Sequence, residues 1–220
     1  MTDVAVEPVN AERYPRQRME DGTVHFLMVG RLDAWRGFDL AVEAMAAASG
    51  KCPNIHLDIV GEGSDRGRIE KWIARTGMEQ RVTLHGRVSM ERYYQMMADC
   101  DVVMNPALKE GAVTTAFDSM AFGRPLIGID TGGYTRYFHD EYAILIDRGR
   151  REQVVNDLAA AIMRMTDPEL RARMGRLAQQ AAALYTWEKK GEEIDEIIFQ
   201  SLSTTEKIVT TDFTNEHGLS

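Results

Sequence analysis

With 220 residues, 44% hydrophobic and 27% charged, the chain has the length and balance of one globular domain able to bury a core without disulfides or metals. Its formal net charge of −8 argues against a nucleic-acid surface, so any bound anion must be met by a few well-placed arginines. Cys52 and Cys100 form neither a disulfide framework nor a metal-ligand spacing, which fits a reducing compartment. No basic-then-apolar leader and no apolar run near about eighteen residues is present, so neither a signal peptide nor a membrane span is expected.

Residues 1–23 are polar and aperiodic, with Pro8 and Pro15, and read as a linker or arm. A strand is expected at Val24–Val29, stopped by Gly30, and a helix at Phe38–Ala48 from the spacing of Phe38, Ala41, Val42 and Met45. A second strand, Ile55–Val60, ends at Gly61, and a helix over Arg66–Thr76 ends at Gly77, a common stop. Val82–Leu84 is the next strand and Met90–Ala98 the next helix. Asp101–Met104 is a strand halted at Asn105-Pro106. A helix follows over Ala112–Phe122, then strands at Pro125–Ile129 and Ala143–Ile146. Helical patterns fill 151–200, with a start signal at Thr166-Asp167-Pro168-Glu169. From Thr204 the chain is polar, so the expected organisation is a linker over 1–23, one domain over 24–202 and a disordered tail over 203–220.

Strands alternating with helices imply crossover units, and near-continuous apolar strands imply burial on both faces. The expected fold is α/β: a doubly wound, Rossmann-like parallel sheet of about six strands. In such sheets ligands lie at the carboxyl ends of the strands. Attention therefore falls on the segments after Val29, Val60, Leu84, Met104 and Ile129.

Gly30-Arg31-Leu32-Asp33-Ala34-Trp35-Arg36-Gly37 places two guanidinium groups in a loop, a residue type that pairs with phosphate oxygens two at a time. The bland alternative is two solvated arginines. Gly61-Glu62-Gly63-Ser64-Asp65-Arg66-Gly67 resembles a dinucleotide fingerprint with its last glycine one residue late. The ribose-holding acid is missing from the end of the next strand, Leu84-His85-Gly86-Arg87. A glycine turn with no cofactor is the better reading there.

Glu110-Gly111-Ala112-Val113-Thr114-Thr115-Ala116-Phe117-Asp118 sets one carboxylate before a helix and another on it. Eight helical residues rise about 12 Å, too far for two acids to share a proton. They can instead hold hydroxyls at opposite ends of an extended ligand, with phosphates over the helix N-terminus between them. That describes a nucleotide sugar. A helix-capping acid plus a surface aspartate explains the same spacing.

Val29-Gly30-Arg31-Leu32 with Arg36-Gly37, the Glu110–Asp118 segment, Met120-Ala121-Phe122-Gly123-Arg124-Pro125-Leu126-Ile127, Gly132-Gly133 and Tyr185-Thr186-Trp187 together resemble the C-terminal, donor-binding domain of the GT-B glycosyltransferases of family 4 (group 1). The resemblance covers residues 8 to 200. It implies that Arg31 and Arg36 pair with the diphosphate and that Glu110 contacts the sugar, the three forming the catalytic set. It implies further that Asp118 holds the ribose, and that backbone from Gly111 through Ala112, Val113 and Thr114 to Thr115, with Gly30, cradles the phosphates. Arg87 and Val88 would lie near the base. The family retains anomeric configuration and uses no metal, so no cofactor is expected beyond the nucleotide-diphospho-sugar donor.

The family more often has Lys at the position of Arg36, Glu at Asp118, Gly at Val113 and an acid at Arg136. The N-terminal acceptor domain has no counterpart here, so little transfer by this chain alone is expected. The implied setting is cell-surface polysaccharide or glycolipid synthesis, in the cytoplasm or peripherally at the inner face of the membrane. Two other readings stay open: an NAD(P)-binding oxidoreductase domain, and a catalytically silent nucleotide-binding module.

Overall fold

A computed structural model describes residues 5–6, 9–19, 21–109, 114–131 and 133–199. Its elements run α1 (Val9–Arg13), β1 (Val24–Val29), a 3-10 turn (Ala34–Arg36), α2 (Phe38–Ser49), β2 (Ile55–Val60), α3 (Arg66–Thr76), β3 (Val82–Gly86) and α4 (Met90–Asp99). They continue through β4 (Val102–Asn105), α5 (Thr114–Ala121), β5 (Leu126–Ile129), β6 (Ala143–Ile146), α6 (Arg151–Arg164) and α7 (Pro168–Ala182). A further helix, α8, spans 187–199. The helical stretch expected over 151–200 is thus divided in three. The polar tail from 203 lies outside the described residues.

Among the described residues the six strands form one parallel sheet in the order β3-β2-β1-β4-β5-β6. This is the doubly wound order, and the chain reverses direction of winding between β1 and β4. Helices α2, α3 and α6 seal one face over Phe26, Met28, Leu57 and Ile59, while α4, α5 and α7 cover Leu27, Val103 and Leu126 on the other. Alternate strand residues serve opposite faces, so both sets must be apolar. A buried polar clamp joins the first layer: Asp39 accepts from Arg68 at 3.2 Å and Arg151 at 2.8 Å, and Arg151 also lies over the Trp72 ring.

The arm is bound along the body. Val6 N–H donates to the Tyr185 carbonyl, Tyr14 stacks on Tyr94, and the N–H groups of Gln17 and Arg18 both meet the Asp99 carboxylate. Arg16 and Arg18 grip the two oxygens of Asp101 at 2.8 and 2.6 Å. Polar composition hid this attachment, because it is made by hydrogen bonds and ion pairs to distant residues.

Burial would raise the Asp101 pKa, but the His25 N–H and the guanidiniums of Arg16 and Arg18 hold it below the ordinary 3.8. A carboxyl with a lower pKa folded than unfolded adds stability above its unfolded value and loses it as pH falls through the folded one. Asp101→Asn is therefore expected to lower the urea midpoint at pH 7. It should also flatten the loss of stability below about pH 4, measured as midpoint against pH.

His25 and His56 pair in register on β1 and β2. With His85 they surround Asp58. His25 Nδ1 lies 3.1 Å and His85 Nε2 2.6 Å from its oxygens, while His56 Nε2 meets the Thr83 hydroxyl at 3.0 Å.

Candidate functional site

The strand order reverses between β1 and β4, and in such sheets the ligand crevice lies outside the carboxyl ends of the strands at that point. Three loops build its rim, and they touch through glycines. A Cβ on Gly61, at φ +142°, would lie 1.9 Å from the Gly30 carbonyl oxygen, and one on Gly37, at φ +74°, would lie 2.2 Å from that of Pro106. Gly63 is pressed against the backbone of Leu32. Leu32 N–H donates to Glu62 and Asp65 N–H to Leu32. The glycines of the imperfect fingerprint thus let one loop lie directly on the next. Their spacing follows loop packing.

Arg31 and Arg36 both leave the loop after β1 and are held differently. Arg31 is mostly exposed and its Nε donates to Asp33 at 2.6 Å. Arg36 is half-buried, with its guanidinium 4.3 Å above the Trp35 ring and close to the Cα of Gly30. That stack fixes the plane of the fork before any ligand arrives. Leu108 N–H donates to the Trp35 carbonyl, tying the loop after β4 to the same turn.

Glu110, Gly111, Ala112 and Val113 lie outside the described residues, as does Gly132. Thr114 and Thr115 open α5, with Thr114 exposed and Thr115 half-buried. Asp118, one turn later, is 6% exposed and accepts a 2.6 Å hydrogen bond from the Tyr93 hydroxyl of α4. Burial, with the Asp118 charge beside it, pushes the Tyr93 pKa well above its ordinary value, so the phenol stays a donor. Thr115 also reaches Tyr93. Sequence reasoning passed over Tyr93, because an aromatic residue at an apolar helix position reads as core, and only its hydroxyl marks it out. Removing that hydroxyl leaves a buried carboxylate short of a donor. Tyr93→Phe is expected to lose about 1–3 kcal/mol, read by urea denaturation.

Arg87 is exposed and Val88 half-buried after β3, two strands from β1. At the usual strand spacing that is about 10 Å from the arginine loop. The structure therefore brings Arg31, Arg36 and Gly30 together at the switch point. It places Thr115 and Asp118 against α4, and sets Arg87 and Val88 at the far rim.

Residues 11–181 match the family model described as glycosyl transferases group 1. An alpha-D-kanosaminyltransferase of Streptomyces kanamyceticus is 29% identical over 194 residues, which are 87% of this chain and 49% of that protein. Among solved structures, the pneumococcal O-GlcNAc transferase GtfA in complex with UDP and GlcNAc superposes with a TM-score of 0.72 at 20% identity, over 86% of this chain and 38% of that one. WaaG, a glycosyltransferase involved in lipopolysaccharide biosynthesis, superposes with a TM-score of 0.72 at 23% identity, over 87% and 54%. The chain spans about half the length of the curated relatives it matches.

Proposed function

The chain belongs to the glycosyl transferases group 1 family, and from that premise we propose that its crevice binds a nucleotide-diphospho-sugar, as the donor half of a retaining, metal-independent transfer. The observation that carries this reading is the Arg36 fork, stacked on Trp35 at the sheet's switch point with Arg31 in the same loop. Cleavage of a donor's glycosidic bond leaves charge on the diphosphate. Guanidiniums already oriented there stabilise that charge without reorganising. The UDP in the GtfA complex supports the choice of a nucleoside diphosphate.

In this reading Arg87 and Val88 meet the base, and Asp118 meets the ribose with its carboxylate oriented by Tyr93. Glu110 takes the sugar. The N–H groups around Gly111 to Thr115 take the phosphates, as a helix start favours anions. The acceptor is held by a second domain facing the crevice. Helix α8 is consistent with such a partner, since Trp187, Ile194 and Ile198 are all exposed on it and recur at helical spacing. Cell-surface polysaccharide or glycolipid synthesis at the cytoplasmic face is the setting we favour. No described helix is long and apolar enough to cross a membrane.

Calorimetric titration with UDP, GDP, ADP and NAD tests the proposal. One nucleoside diphosphate should bind, unaffected by EDTA, and Arg31→Ala should weaken it. Binding of NAD alone would overturn the reading in favour of an oxidoreductase. Fast sugar transfer by the 220-residue chain itself would refute the need for a second domain. Binding without turnover in the presence of that domain would leave a silent nucleotide-binding module.

A further inference from the structure

At the opposite end of the strands, where Asp101 leads into β4 and Pro125 into β5, a cavity of about 400 Å³ is ringed by arginines. Arg16 reaches it from the arm, Arg124 from the turn after α5, and Arg171 and Arg176 from α7. The length of β4 alone puts roughly 13 Å between this cavity and the crevice. Its floor is rigid: α5 and α7 approach so closely that a Cβ on Gly175 would lie 2.3 Å from the Gly123 carbonyl oxygen.

The charges around it do not balance. Asp101 is the one carboxylate lining the cavity, and Arg16 and Arg18 already occupy its oxygens. Among the described residues, Arg124, Arg171 and Arg176 have no carboxylate within ion-pair distance. Two of them are nevertheless held in place. Arg124 Nη2 donates to the Ala98 carbonyl and Arg171 Nη1 to that of Met165, each at 2.6 Å. The Arg124 Nε is buried with no partner among the described residues. Burial lowers the pKa of Arg124 and of Arg171; the Arg16 charge lowers both further, while Asp101 acts against the shift at both.

Four guanidiniums, those of Arg16, Arg124, Arg171 and Arg176, thus gather around a single carboxylate, and the positive charge left over favours an anion. Planar forks with donors in a fixed plane fit a tetrahedral oxyanion that carries two charges. We propose that this cavity is a binding site for a phosphate or phosphomonoester group, separate from the donor crevice. The group can arrive free in solution or on a lipid headgroup, and the chemistry of recognition is the same.

Affinity for inorganic phosphate, measured at constant ionic strength against chloride, tests the site. Arg176→Glu changes an exposed side chain and should leave the thermal midpoint within a few degrees. It is expected to weaken phosphate binding at least tenfold, as is Arg171→Gln. Phosphate bound no better than chloride, or equally by the chain and Arg176→Glu, overturns the proposal. So does loss of phosphate binding in Arg36→Ala alone. Glycerol 3-phosphate and phosphatidylcholine vesicles containing phosphatidic acid separate the sources. Vesicle binding that Arg176→Glu abolishes assigns a lipid headgroup. Competition by glycerol 3-phosphate without vesicle binding assigns a soluble phosphomonoester.

Discussion

Gly61→Ala should destabilise the chain by roughly 3 kcal/mol or more, a large fraction of the stability of a domain this size. Two effects combine at this position. The backbone sits at φ +142°, where an L side chain is strained. The new Cβ would also stand 1.9 Å from the Gly30 carbonyl oxygen. That neighbour is backbone at the end of β1, so no side-chain rotation relieves the overlap. To make room the two loops must part, breaking the bonds from Gly30 N–H to Val60 and from Gly61 N–H to Gly86. The urea midpoint is expected to drop by about 1 M or more at the usual slope for small proteins. Gly50→Ala is the control, at φ −66° with open space around it. It should be neutral or slightly stabilising. Equal midpoints for the two variants would mean that the loops do not lie on one another as described.

Arg36→Ala is expected to weaken nucleoside diphosphate binding by about 2–3 kcal/mol, roughly 30- to 150-fold, because a charge-assisted and bidentate contact is lost. Its structural cost is small, since a partly exposed stack on Trp35 contributes only about 0.5–1 kcal/mol. Affinity and stability thus separate. Arg36→Lys should recover part of the binding by restoring charge, but not all, because an ammonium is not a planar fork. Arg31→Ala should have the smaller effect, near 1 kcal/mol, because Arg31 is exposed and already engaged by Asp33. If Arg31→Ala proved the more damaging change, the roles assigned to the two arginines would have to be exchanged.

Part of the candidate site was legible as residue types at fixed places after strands. Gly30, Arg31 and Arg36 announced themselves as guanidiniums and a tight turn following an apolar run. The double glycine at Gly61 and Gly63 was legible as a turn, but its purpose was not. Its purpose is contact with Gly30 and Leu32, thirty residues earlier, and no local pattern records which loop will lie against which. Asp118 was found as a carboxylate on a helix, while its orienting partner was missed. Tyr93 lies twenty-five residues away on another helix, and the bond forms only when α4 and α5 pack side by side. The attachment of the arm, the ion pairs of Asp101 and the arginine cavity were missed for the same reason. Charged residues scattered at Arg16, Arg124, Arg171 and Arg176 look like solvated surface until the fold collects them.

Read alone, the residue pattern was enough for the α/β class, for about six strands in parallel and for the helices that alternate with them. Those properties follow from periodicity and from burial on two faces, which are local in the chain. The strand order, the Tyr93–Asp118 bond and the cluster of arginines around Asp101 emerged only in the folded molecule. Each of these is a contact between residues distant in sequence. Hydrogen bonding and charge act at a few ångströms, so such contacts exist only once packing has brought the partners within reach.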